Sequence, residues 1–521
     1  MRNNERAAQK AEVAKAAAVA APRPLTFWEQ YRRKPQGMVG LAIVAVYVLV
    51  AVFAPLLTKY DPMDDLYLAD NIAAPAWLGK INPKYRDLPP TMRWVLGLSD
   101  WDAETAEGVK VGPWQHQRGE GLDIQLPATE PAEGETQQSG TPFGFVSSFA
   151  WNPFGTSASA QQAEPEDSDA LFEFSFAYDY GRPQTFSAGF EYSVEAPGDA
   201  STKLAFELVN PSGKTFNLWN TTVRGSLRTG SAIIDARDYD LKMRLGLSFF
   251  DEPTAVVFAE RGNYTVRLRV DSESPSGPVQ VRIRPVDFGV LGMVHGILGT
   301  DHMGSDLWAQ LVYGTRVALA IGLSAAFIAV FIGTSVGLIA GYLGGVVDEV
   351  LMRVVDVLLA VPVMPVLIVL GALFGKSVAN VVILLALFSW MGIARMVRAQ
   401  TLSLKERTFV EAAKAAGASS AYIMISHILP NTMPLIFANL VLRIPSAILT
   451  EASLSFLGLG DPRVPTWGRM LQNARQFGAF TKMAWWWMLP PGIVLTGLAV
   501  AFVFIGNSVN EILNPRYRER S

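Results

Sequence analysis

Six runs of roughly twenty apolar residues constrain this chain more than any other feature, because an α-helix of that length is what crosses a bilayer core of about 30 Å. They are Met38 to Leu57, Val317 to Tyr342, Val354 to Phe374, Val378 to Ala394, Leu435 to Leu457 and Ala484 to Val509. The third and fourth nearly touch, so a tight turn at Gly375-Lys376 has to separate them. The pattern predicts an α-helical polytopic membrane protein with six transmembrane helices. A cleaved signal peptide does not explain the first run, which follows a 37-residue segment, is too long for a signal core and lacks a small-residue cleavage site after it.

Between the first two runs lies a segment of different character. Residues 58–300 carry 33 Asp and Glu against 20 Lys and Arg, whereas the rest of the chain is basic, 24 against 14. Basic clusters flank the membrane runs: Arg32, Arg33 and Lys34 before the first, Arg395, Arg398, Lys405, Arg407 and Lys414 after the fourth, and Arg516, Arg518 and Arg520 after the sixth. With six spans all three clusters fall on one side, and cytoplasmic loops are the ones enriched in Lys and Arg. This sets the expected layout. Residues 1–37 are a cytoplasmic tail and interfacial segment, 38–57 the first transmembrane helix, 58–300 an extracytoplasmic insert, and 301–521 a core with five transmembrane helices and a cytoplasmic loop over 400–430. Both termini are cytoplasmic, in the inner or plasma membrane of a prokaryotic cell.

Residues 1–24 read as a fraying helix or disordered tail, and the aromatics and cations of Thr26 to Lys34 as an anchor at the headgroups. Within the insert, residues 58–170 are rich in Pro, Gly, Trp and Asp and read as irregular, with an acidic loop over Glu130 to Asp169. From 171 to 288 period-two alternation sets in, as in Leu171-Phe-Glu-Phe-Ser-Phe, Tyr264-Thr-Val-Arg-Leu-Arg-Val and Val279-Gln-Val-Arg-Ile. Those runs, bounded by Pro/Ser/Gly turns, predict an antiparallel, mainly-β sandwich. Cysteine is absent, so disulfides, thiol metal sites and cysteine nucleophiles are excluded. His116 and His295 stand alone, without metal-ligand spacing.

The cytoplasmic loop holds the most informative motif. Phe409 to Ala416 favours a short helix, Gly417 suits the left-handed residue that ends it, and Ser419 or Ser420 can cap the next one. Small side chains at Ala412, Ala413, Ala415 and Ala416 permit close approach by another protein, with Glu411 supplying one charge. Together with His427, Ile428, Leu429 and Pro430 this segment resembles the EAA loop of ATP-binding-cassette importer permeases. Further phrases of the dipeptide/oligopeptide/nickel branch appear in order: Leu298-Gly-Thr-Asp-His-Met-Gly-Ser-Asp-Leu-Trp, Tyr313-Gly-Thr-Arg, Ala340-Gly-Tyr-Leu-Gly-Gly, Asp356-Val-Leu-Leu-Ala-Val-Pro, Glu451-Ala-Ser-Leu-Ser-Phe-Leu-Gly-Leu-Gly and Pro465-Thr-Trp-Gly. The similarity is to the second permease subunit of such importers. Ser305 stands where the family usually has Arg, and most of the insert has no counterpart in the pattern.

The resemblance implies a type I importer permease: a transport subunit without catalytic residues, cofactor or metal, working with a second permease, two ATPase subunits, an extracytoplasmic binding protein and the lipid bilayer, and with no nucleic acid. Docking to the ATPase then falls to Glu411, Ala412, Ala413, Gly417, His427, Leu429 and Pro430. Peptides are the implied cargo; nickel chelates or oligosaccharides fit the same architecture, and an anchored extracytoplasmic binding or sensor protein is the reading from a different class. Arg443 and Glu451, eight residues apart in the fifth run, are the candidate pathway residues, since intramembrane charge is costly; they are also candidates to pair with each other. Gly371-Ala-Leu-Phe-Gly-Lys-Ser377 falls one residue short of a phosphate loop, whose glycines need four residues between them.

Overall fold

The computed structural model describes residues 26–116, 119–128, 168–225, 227–274 and 276–513. The expectations for residues 1–24, for most of the acidic loop over Glu130 to Asp169, and for Arg516, Arg518 and Arg520 fall outside these. The chain divides into two compact units, one formed by residues up to Met63 with those from Ala309 onward, the other by Asp64–Trp308.

The first unit is helical. Its main helices are α1 (Pro35–Val52), α2 (Leu307–Leu343), α3 (Gly345–Ala360), α4 (Val363–Phe374), α5 (Val378–Ser389), α6 (Met391–Lys405), α7 (Thr408–Ala415), α8 (Leu429–Phe456), α9 (Trp467–Gln476) and α10 (Trp485–Leu513). Among the described residues five helical stretches are long and apolar enough to cross a membrane: α1, α2, Val378–Lys405, Ser420–Phe456 and α10. The third apolar run is not the single helix expected. It breaks between α3 and α4, which meet at 86°. Pro362 forces Val361 out of the helical region, to φ −76° and ψ 129°. Among the described residues the candidate spans therefore number five, or six if α3 and α4 together make one.

Small residues let these helices pack backbone to backbone. A Cβ on Gly333, Gly337 or Gly341 of α2 would come within 2.6–2.9 Å of backbone carbonyls at Trp390, Ala394 and Arg398. Along the other side of the unit, Gly40 of α1 lies against the Ala501 carbonyl of α10, and the Tyr47 hydroxyl donates to the Val494 carbonyl at 2.7 Å. Close approach through glycine is what holds helices together where burial of apolar surface adds little. The ion pairs Arg398–Asp348 and Arg395–Asp356 tie α3 to α6.

The second unit is a sandwich of two antiparallel sheets. Its strands are β1 (Met92–Leu96), β2 (Asp102–Thr105), β3 (Lys110–His116), β4 (Gly119–Leu126), β5 (Ala170–Tyr178), β6 (Thr185–Glu195), β7 (Ser201–Val209), β8 (Thr215–Arg224), β9 (Arg228–Asp235), β10 (Gly262–Glu273), β11 (Val279–Ile283) and β12 (Val286–Leu291). One sheet runs β1-β12-β6-β11-β4-β3 with β9 added to β6; the other runs β2-β5-β10-β7-β8. Alternate residues of both sheets meet in one core, with Trp94, Phe176, Phe206 and Phe288 packed at ring separations of 4.7–6.4 Å.

Residues 58–170, expected to be irregular, supply four of these strands. Leu122, Ile124 and Leu126 of β4 do alternate and are buried, but β2 is exposed throughout and β3 contains Pro113. These strands exist because later strands pair with them: β4 takes its register from β11 and β1 from β12.

The two ends of the insert are fastened together at a neck. Ala74 bridges to Val294, Asp70 N donates to the Gly292 carbonyl at 2.8 Å, and a Cβ on Gly292 would lie 2.2 Å from the Pro90 backbone. Thr300, fully buried, donates its hydroxyl to the Asp70 carbonyl at 2.6 Å and accepts from Ala73 N at 2.9 Å. Asp301 accepts from Met303 N and Ser305 N, shaping the turn that leads into α2. The motif phrase around Leu298–Trp308 thus closes the neck. Thr300→Val, equal in shape, removes both hydroxyl bonds and should destabilise the neck by about 1–3 kcal/mol. A lower melting temperature of the purified full chain, with faster proteolysis over residues 67–76, checks it; an unchanged melt and cleavage pattern would contradict it.

Candidate functional site

The EAA-like segment forms an elbow. α7 closes with the hydrogen bonds of a glycine-terminated helix: Ala418 N donates to the Ala413 carbonyl at 3.1 Å and Gly417 N to the Lys414 carbonyl at 3.0 Å, with Gly417 at φ +78°. Ser419 then caps the next helix, accepting from Tyr422 N at 3.3 Å. Here the expectation of two short helices needs correction. The second does not stop but runs on from Ser420 to Phe456 without a break, 37 residues and about 55 Å at 1.5 Å per residue.

Inside that helix residues Ile423–Ile428 are wound as a π-helix. Pro430 has no N–H to give, and its ring clashes with the carbonyl four residues earlier, so the turn widens to accommodate it. The Asn431 side chain satisfies the His427 carbonyl at 2.7 Å. The His427 ring itself meets Tyr422 edge-on at 5.5 Å and lies 6.4 Å from Phe409 across the elbow.

The elbow has an inner and an outer side. Val410, Ile423 and Ile428 are buried, with Ala413, Ala418 and Leu429 packed against the same cluster that holds α2 and α6. Glu411, Ala412, Ala415, Ala416, Gly417 and Pro430 face outward. Lys414 and Lys405 both lie over the Tyr342 ring, at 5.6 and 5.9 Å, so cation–π contacts attach the elbow to the end of α2. The result is an exposed ledge of small residues on a firmly packed base. Of the seven docking candidates, four stand on the ledge (Glu411, Ala412, Gly417 and Pro430), and Ala413, His427 and Leu429 are half-buried behind it.

Further along α8 the structure separates the two intramembrane charges. Glu451 is buried; its Oε1 accepts from the Ser455 hydroxyl at 2.6 Å, and the Thr466 side chain bonds it as well. It belongs to a packed corner in which Trp467 donates its ring N–H to the Leu311 carbonyl at 3.0 Å and stacks over Gly314, while Gly468 lies against Ala452 and Ser455. Arg443 does not pair with it. Its guanidinium packs against Gly392 of α6, and among the described residues it has no ion-pair partner.

A cavity of about 590 Å³ opens beside this helix, lined by Val363, Leu442, Pro445, Ser446, Leu449, Thr450 and Ser453 with residues of α10. Ser446, Thr450 and Ser453 put three hydroxyls on one face at helical spacing. Thr450 and Ser453 return their protons to the carbonyls of Ser446 and Leu449, both at 2.8 Å, which keeps oxygen lone pairs toward the cavity. In the sequence this row shows as i, i+4, i+7 hydroxyls within an apolar run. The near-match to a phosphate loop is no cradle: Gly371 sits inside α4, and Gly375 makes the turn to α5.

A polytopic helical bundle with an outward ledge of small residues and a largely apolar cavity edged by three hydroxyls has the make-up of a membrane transport subunit. The profile of the family described as binding-protein-dependent transport system inner membrane component matches residues 333–519, and that of the N-terminal transmembrane domain of oligopeptide transport permease C matches residues 25–90. The chain is 42% identical over 221 residues to the glutathione transport system permease protein of Salmonella typhimurium, covering 42% of this chain and 72% of that one. It is 38% identical over 241 residues to a Brucella suis protein named "Putative peptide transport system permease protein", covering 46% and 78%. The chain belongs to this family of binding-protein-dependent permeases, and is a multi-pass inner-membrane permease subunit of an ATP-binding-cassette importer. Residues 91–332, which include the sandwich, lie outside both matched segments.

Gly417→Val places a β-branched residue at φ +78°, a strain of about 1–2 kcal/mol at minimum, although nothing crowds the position. Substrate uptake by the assembled transporter should fall severely while the amount of chain in the membrane stays normal. Wild-type uptake by that variant would count against the elbow as the coupling element.

Proposed function

We propose that this chain forms, with a second permease subunit, the transmembrane pathway for small peptides handed over by an extracytoplasmic binding protein, and that two ATPase subunits drive it from the cytoplasmic side. The observation that carries this is the continuous helix from Ser420 to Phe456, which joins the exposed ledge to the cavity edged by Ser446, Thr450 and Ser453. Closure of an ATPase pair against Glu411, Ala412 and Gly417 would push on α7 and rock that helix, moving Ser446, Thr450 and Ser453 between inward and outward access. Hydroxyl oxygens that accept from N–H groups suit peptide amides of many sequences, and the peptide and glutathione transport named for the relatives supports that class of cargo. ATP hydrolysis belongs to the partner subunits.

In this reading Arg443 faces the pathway or the second permease, where a cargo carboxylate or a partner's acid meets it. Glu451 serves instead to lock α8 to α9. The basic residues Arg395, Arg398, Lys405, Arg407 and Lys414 around the elbow support a cytoplasmic ledge, and the acidic insert an extracytoplasmic sandwich. The sandwich then acts as a docking or lid domain for the binding protein, its acidity favouring a basic rim on that partner and guiding encounter more than affinity.

Orientation is open to direct test because the chain has no cysteine. Ser212→Cys in the insert and Ser420→Cys in the elbow are both at exposed positions. An impermeant maleimide applied to intact, outer-membrane-permeabilised cells should label only the first; labelling at position 420 would reverse the orientation. The docking role is tested by excising the sandwich at its neck, joining Thr91 to Gly292 through a short Gly/Ser linker, since these residues already touch through a 3.0 Å hydrogen bond. ATPase association should survive, while affinity for the loaded binding protein drops and substrate-stimulated ATP hydrolysis weakens. An excised permease that responds as the full chain does would remove the docking role.

A further inference from the structure

The sandwich carries one apolar feature that neither its core nor its neck explains. Between β9 and β10 the chain forms a short helix, Tyr239–Arg244, then loops outward before Pro253–Val257 returns it to the core. On this excursion Phe250 is 91% exposed, Phe249 70%, Met243 60% and Tyr239 56%. The two phenylalanines meet edge-on at 5.5 Å and Phe249 lies 6.5 Å from Tyr239.

The tip is built and held. Leu247 N donates to the Lys242 carbonyl at 2.9 Å, Ser248 N to the Asp251 carboxylate at 2.9 Å, and Asp251 N back to the Ser248 carbonyl at 3.1 Å. Lys242 donates its ammonium to the Phe249 carbonyl at 2.9 Å and lies 5.6 Å from the Phe249 ring. A cation thus sits at the base of the aromatic pair. Fixing adjacent large rings in water on an ordered turn is unfavourable unless something covers them.

Its place in the fold says what does. Both feet of the excursion stand at the neck end of the sandwich. Asp235 closes the β9 pairing beside Ser187, near where β12 ends, and Arg237 reaches Asp70 of the neck at 3.3 Å. On the return, Glu252 pairs with Arg182 at 3.0 Å and Arg261 with Asp87 at 3.0 Å, again at that end. Asp70 follows the helical segment Ala54–Leu57 by thirteen residues, and Leu307, where α2 begins, follows Gly292 by fifteen. The chain itself therefore ties this end of the sandwich to two membrane helices. Among the described residues the opposite end, where β10 finishes at Glu273, is not joined to a membrane helix.

We propose that the Tyr239–Phe250 excursion is an interfacial anchor, entering the headgroup layer of the phospholipid bilayer in which the permease resides. Phe249, Phe250 and Met243 occupy the boundary between headgroups and acyl chains, and Lys242 stands at phosphate level. Aromatic rings with a cation at their base are the side chains that favour that layer. The inference rests on membrane residence alone, and stands or falls independently of the docking role and of the side to which the insert faces.

The absence of cysteine allows a single reporter. In the full-length chain, Ser248→Cys, which leaves both rings in place, is labelled with an environment-sensitive fluorophore and reconstituted in nanodiscs of phosphatidylethanolamine and phosphatidylglycerol. A second sample carries the label at Glu273→Cys, on the far end. Emission from position 248 should shift to the blue and be quenched by a lipid spin label near the headgroup more than by one at the acyl terminus; position 273 should show neither effect. Adding Phe249→Ser and Phe250→Ser to the reporter chain should abolish shift and quenching, and because both rings are exposed the fold does not depend on them. Equal behaviour of positions 248 and 273 overturns the proposal, as does quenching that persists without the rings. A shift that appears only when the binding protein or the second permease is added would assign the tip to a protein partner and overturn the lipid assignment.

Discussion

The contact on which the helical unit depends is the seam between α2 and α6, where Gly333, Gly337 and Gly341 bring two backbones into contact. A methyl group at any of the three would lie inside the van der Waals envelope of a carbonyl or a β-carbon of α6. In lipid, apolar burial does not drive helices together, so the seam's close approach and the charge pairs beside it, Arg398–Asp348 and Arg395–Asp356, must do so. The elbow hangs from the end of α6 and its lysines rest on the end of α2 at Tyr342. Its rigidity is inherited from the seam.

The insert obeys a related logic at its neck. A domain of more than two hundred residues can be accommodated between two membrane helices only if its ends remain close to each other. Here Pro90 and Thr91 lie against Gly292, which has no side chain to hold them apart, and Thr300 on the C-terminal side binds Asp70 and Ala73 on the N-terminal side. The match to the permease N-terminal region ends at residue 90, where the structure also turns from neck to sandwich.

Much of the architecture was legible, and the failures share a cause. Apolar runs located the membrane helices because a bilayer imposes a length, and alternation from Leu171 located the sandwich because one face of each strand is buried. The break at Pro362 was written in the chain but hidden by the hydropathy of both flanks. Strands β1 to β4 lay in the stretch expected to be irregular, where Pro, Gly and exposed polar residues dilute the pattern, and pairing of β1 with β12, β2 with β5, β3 with β4 and β4 with β11 makes them strands. The glycine repeat of α2 has a four-residue spacing in the sequence, and only the packed structure shows which helix it meets.

For the site, the sequence by itself determined the elbow: Gly417 admits the positive φ that ends α7, Ser419 caps the long helix that begins at Ser420, and the alanines leave a surface of small side chains. These are local effects, set by residues within one or two turns. Tertiary structure decided the surroundings of the two charges of α8. Spacing alone puts Arg443 and Glu451 within two or three turns of each other, and their separation arises because Ser455, Thr466 and Trp467 close around one while α6 passes the other. Which face of a helix meets protein and which meets a cavity depends on neighbours far away in the chain, so no local pattern could assign the hydroxyl row of Ser446, Thr450 and Ser453 to the cavity before the helices were packed.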